Sequence, residues 1–112
     1  MLRRRRTVEA YDHLIGAAAR ISASPDLEGL RLKFVWTLAD AIRGTTKWAT
    51  EYPAEPRLKE AQLRAGKAAM ERLYDHPMVA ADSPDAPEKG IRGPAGRALK
   101  WTDKALAYYA KV

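Results

Sequence analysis

The stretch Leu27 to Tyr52, LEGLRLKFVWTLADAIRGTTKWATEY, decides the fold class. Leu27, Leu30, Phe34, Leu38, Ile42, Thr45, Trp48 or Ala49 and Tyr52 recur every three or four residues, which puts them on one face of an α-helix. Ser24-Pro25-Asp26 just ahead is a start signal. Serine can cap, proline tolerates the first helical position, and aspartate complements the positive end of the helix dipole. Gly44 weakens such a helix without ending it, and Pro53 stops it.

The same period appears on both sides. Val8, Tyr11, Leu14 or Ile15, Ala18 and Ile21 predict a first helix from Thr7, its N-cap, to about Ser22. Downstream, Pro56 opens a third helix in which Leu58, Ala61, Ala65, Ala68 or Ala69 and Leu73 share a face, until His76-Pro77 forbids continuation. Residues 77–93 hold three of the seven prolines and read as an extended segment. Pro94 restarts a helix with Ala98, Trp101 or Thr102, Ala105 and Tyr108 or Tyr109, a weakly amphipathic pattern that calls for a partner surface. The expected fold is all-α: a basic tail over 1–6, a three-helix antiparallel bundle over 7–76, the proline-rich extended segment over 77–93 and a C-terminal fourth helix over 94–112.

A length of 112 residues and 46% hydrophobic composition suffice for one modest core. The absence of cysteine removes disulfides, thiolate metal sites and thiol nucleophiles. Charges interrupt every apolar run before it reaches bilayer length. The net charge of +6 points to acidic company: nucleic acid, an anionic membrane surface or an acidic protein. It is concentrated at both ends of the chain, foremost in Arg3, Arg4, Arg5 and Arg6. That run suits a phosphate-binding arm, a mitochondrial targeting segment or a solvated terminus.

No catalytic constellation is legible. His13 and His76 lack the i, i+4 companion of a helical metal site, no G-x-S-x-G elbow occurs, and the Gly90–Gly96 run has no lysine followed by Ser or Thr and carries Pro94 where a phosphate loop needs an N–H. No enzyme activity, metal or cofactor is expected. The aromatic residues Tyr11, Trp36, Trp48, Tyr52, Tyr74, Trp101, Tyr108 and Tyr109 all fall in predicted helices, a pattern of packing and protein contacts more than of base stacking. Trp101, Tyr108 and Tyr109 stand among Lys100, Lys104 and Lys111, a mixture typical of protein interfaces.

The order of features resembles the LYR-motif proteins of mitochondria, in particular the LYR accessory subunits of respiratory complex I. In that family a Leu-Tyr-Arg (or Lys) triplet opens helix one, an aromatic follows helix two, and a proline precedes a glycine-bearing third helix. Tyr11 takes the tyrosine's place, Trp48 that of the aromatic, and Pro56-Arg57 with Gly66-Lys67 is similar to the third-helix run. His76-Pro77 and Asp82-Ser83-Pro84 match a further subunit's sequence after helix three, so the resemblance covers residues 8–84. Ala10 and Asp12 stand where the family has leucine and arginine.

The resemblance implies a non-catalytic accessory or assembly subunit of a mitochondrial complex, most of all complex I, in the matrix or on the matrix face of the inner membrane. Its partners would be protein subunits and, as in the family, an acyl carrier protein met by basic residues. The expected contacts are Tyr11, Arg20, Arg43, Lys47, Trp48, Arg57, Trp101, Tyr108 and Tyr109. Two alternatives stand beside this reading. One is a cytoplasmic nucleic-acid-binding protein gripping phosphates through Arg3–Arg6. The other is a small phage or bacterial helical inhibitor of a larger enzyme.

Overall fold

The computed structural model describes residues 2–27, 32–51, 58–82 and 89–111, with side chains from Val8 onward. Five helices follow one another: α1 Leu2–Ser22, α2 Leu32–Glu51, α3 Glu60–Asp75, α4 Pro77–Asp82 and α5 Arg92–Ala110. The described residues contain no strand, so the all-α class holds.

Local boundaries depart from expectation where propensity outruns a cap or stop signal. The backbone is helical from Leu2, so Arg3–Arg6 belong to α1 and Thr7 lies inside the helix instead of capping it. Arginine is a good helix former, and extending a helix already nucleated costs little. Ser24-Pro25-Asp26 makes a turn, not a helix start: the Ser24 N–H donates to the Ile21 carbonyl at 3.0 Å and its hydroxyl to the Asp26 carbonyl at 3.0 Å. Leu30, Tyr52, Pro53, Pro56 and Arg57 lie outside the described residues. In the segment expected to be extended, Pro77–Asp82 is helical, with proline at the first position, where its missing N–H costs nothing.

Two apolar faces are rotated from those drawn on the sequence. α2 buries Val35, Leu38, Ala39, Ile42, Thr46 and Ala49, and Phe34 stands 55% exposed. α3 buries Leu63, Gly66, Ala69, Met70 and Leu73, leaving Ala61, Ala65 and Ala68 outside. Gly44 sits within α2 without interrupting it, as expected. His76 does end α3: its ring is buried, Nε2–H donates to the Ser24 carbonyl at 2.6 Å, and Nδ1 accepts from the Met78 N–H at 3.1 Å.

Named contacts fix how the helices run. Asp12 meets Gln62 and Ser24 meets His76, so α1 and α3 run the same way. Lys67 meets Asp103, and Tyr74 meets Arg92 through its carbonyl at 3.0 Å, so α5 runs back along α3. α2 doubles back along α1, which brings Thr46 beside Tyr11. α5 packs along both α2 and α3 with Gly93, Pro94, Ala95, Ala98, Thr102 and Ala105 buried. The face that the sequence appeared to reserve for a partner is therefore covered within the chain. Small residues make a weak amphipathic pattern, yet they let helices approach closely.

Tyr11 sits where these helices converge, 0% exposed, with Thr46 of α2, Gly66 of α3 and Thr102 of α5 around its hydroxyl. Both threonine hydroxyls donate to their own helices, to the carbonyls of Ile42 and Ala98. Burial pushes the Tyr11 phenol up to about 12. A Cβ at position 66 would overlap the phenol oxygen, whereas one at Gly44 would meet nothing within 4 Å.

Two stability predictions follow from this geometry. Gly66→Ala should lower stability by about 1–3 kcal/mol despite alanine's better helix propensity. Gly44→Ala should raise it by up to about 1 kcal/mol, and adding Tyr11→Phe to Gly66→Ala should restore part of the loss; urea midpoints read all three. The second concerns alkali. The unfolded phenol ionises near 10.0 and the folded one near 12, so its contribution is whole below pH 10 and is lost between those values. That loss amounts to roughly 3 kcal/mol. Denaturant midpoints measured from pH 9 to 12 should fall less steeply in Tyr11→Phe than in the native chain.

Candidate partner-binding surfaces

The residues expected to meet partners divide among several places. Tyr11 is core, and its full burial removes it from any partner surface in this conformation. Trp48 is half-buried against the same core. Arg20 lies exposed at the end of α1, and Arg43 is tied to Asp40 at 2.9 Å one turn away on α2. Arg57 lies outside the described residues, as do the side chains of Arg3, Arg4, Arg5 and Arg6.

A cationic and aromatic group does form between α2 and α5. The Lys47 ammonium lies 5.8 Å from the Trp101 ring centroid, and Lys104 lies 4.7 Å from it. Lys47 also reaches Glu51 at 3.7 Å, along its own helix. Two turns on, Tyr108 and Tyr109 meet edge to face at 5.7 Å, with Tyr108 41% exposed. On the other flank of α5, Asp103 holds Lys67 at 2.9 Å, and this hydrogen bond and charge raise the Lys67 pKa above its usual value.

A further site was not anticipated. Ala10, His13, Leu14 and Ala17 of α1 and Phe34, Thr37, Leu38 and Ala41 of α2 line an open groove of about 450 Å³. Its walls are almost wholly apolar. Side-chain size contributes: three of the eight lining residues are alanines, which leave space between the two helices. Phe34 was expected in the core and instead forms the rim. The groove could have been suspected from the small residues at 10, 17 and 41, but only once the rotation of α2 was known.

No protein family, curated protein or solved structure matches the chain. Among the described residues no three His, Asp or Glu side chains gather as a metal site would require, and no helix is long and apolar enough to cross a membrane.

Proposed function

We propose that the protein is a non-catalytic helical subunit that acts by protein–protein contact, as an accessory or assembly component of a larger complex. The α1–α2 groove carries this reading: a concave, apolar, solvent-open surface with a phenylalanine 55% exposed on its rim. Isolated apolar residues on a surface are ordinary; here Phe34, Leu14 and Leu38 stand together with three alanines in one trough, a relief that a partner helix can fill. Its walls are two helices whose lining residues fall three or four apart, the relief into which a third helix sets its own side chains. The occupant is accordingly an amphipathic helix of a partner subunit.

The narrower form of the proposal places the protein in a mitochondrial complex, complex I foremost, on the resemblance to LYR-motif subunits. In this reading α1–α3 form the family's antiparallel bundle, and α5 closes its open side. Support comes from the meeting of Tyr11 with Gly66, two positions that carry the resemblance. Asp12, where the family has a base, hydrogen-bonds Gln62 at 2.7 Å and so takes a structural part between α1 and α3.

Phe34→Ala separates groove from core. With its side chain largely in water, the substitution should change stability by no more than about 0.5 kcal/mol. It should also release the chain from its native high-mass assembly in size-exclusion or native-gel analysis of untagged protein. A wild-type chain that migrates alone, or an assembly indifferent to Phe34→Ala, counts against the reading. Recovery in the mitochondrial matrix fraction tests the narrower form.

A further inference from the structure

The outward face of α5 carries one sign of charge. Arg97, Lys100, Lys104 and Lys111 are all exposed. At 3.6 residues per turn their positions fall within an arc of about 60°, along about 21 Å of helix axis. None of the four has an acidic partner among the described residues. The one acid on α5, Asp103, is turned aside to Lys67. The opposite face of the helix is buried in the core through Ala98, Thr102 and Ala105, which fixes the row outward.

Three kinds of anionic partner could meet such a row, and its composition separates them. A helix lying on a membrane buries large apolar side chains below its cations. Here Leu99 and Leu106 are packed against the core, and Trp101 is flanked by Lys47 and Lys104. An acidic protein would need an apolar centre ringed by charge. Beside its cations the row offers Tyr108, Ala107 and Trp101, whose ring is already covered by Lys47 and Lys104. A phosphate backbone requires neither, because its affinity comes from neutralised charge and released counterions.

We infer that the outward face of α5 binds the phosphate backbone of a nucleic-acid duplex through Arg97, Lys100, Lys104 and Lys111. A straight row of about 21 Å is long enough to meet several phosphates of a duplex, which presents one charge per about 1.7 Å of its axis. Contacts of this kind position a protein without reading sequence. The surface is independent of the α1–α2 groove and of its occupant.

The test is fluorescence anisotropy of a labelled 20-base-pair DNA duplex titrated with the full chain between 50 and 200 mM salt. Three proteins are compared: native, Lys100→Gln/Lys111→Gln, which spares the Trp101 contacts, and Lys33→Gln/Arg72→Gln, which removes two exposed charges from elsewhere. The native chain should bind, with affinity falling steeply as salt rises. The α5 variant should bind at least about tenfold more weakly at 50 mM and show a log–log salt slope shallower by roughly 2, while the control variant stays near native. Circular dichroism confirms equal helicity. Three results would overturn the inference: no salt-dependent binding, equal loss in both variants, which would mean diffuse net charge, or binding to phosphatidylserine vesicles with none to the duplex.

Discussion

The packing of the Tyr11 phenol against the backbone of Gly66 is the contact on which the arrangement depends. A tyrosine is too large to lie between two helices at close approach unless one of them presents no side chain, and Gly66 is where α3 does so. The phenol then extends to the Thr46 and Thr102 hydroxyls, so a single side chain on α1 touches α2, α3 and α5. Each threonine has already donated its proton to its own helix, which leaves oxygen, not hydrogen, facing the phenol. The phenol hydroxyl itself is buried without a hydrogen-bond partner among the described residues, and that burial holds it neutral far into the alkaline range.

That constraint explains why α5 is part of the core. Its inward residues, Ala95, Ala98, Thr102 and Ala105, are small. Small residues contribute little transfer free energy each, but they let α5 pack against α2 and α3 from Gly93 to Ala105. The ends are secured separately. Arg92 lies over the Tyr74 ring at 4.8 Å and donates to the Tyr74 carbonyl, while His76 joins the end of α3 to the turn after α1.

How much of this the sequence disclosed depends on what kind of signal each feature leaves. Stops written in covalent geometry were legible: proline after His76 ended α3 where the pattern said it would, and Gly44 weakened nothing visibly. The rotation of a helix about its axis was not. A three-and-four stripe can be drawn through Phe34, Leu38 and Ile42 or through Val35, Leu38 and Ile42 with equal regularity, and only the positions of α1 and α5 choose between them. The alanines of α3 misled for a related reason. Alanine suits an inner or an outer face, so Ala61 and Ala65 carried no directional information, while Gly66, read only as a point of resemblance, held the contact that mattered. The groove inherits this illegibility, since it exists because Phe34 turned outward.

Charge is distributed by a similar economy of neighbours. Asp40, Glu51 and Glu60 pair with bases three or four residues away on their own helices, and Asp103 reaches across to Lys67. Pairs this exposed add little stability. Their consequence is instead one of field: they neutralise the flanks of α2, α3 and α5 and leave the outer row of α5 without an acidic partner among the described residues. The groove lies on α1 and α2, whereas the basic row lies on α5, which meets α2 and α3 but makes few contacts with α1. A partner seated in the groove therefore leaves the row open, and an anion along the row leaves the groove open.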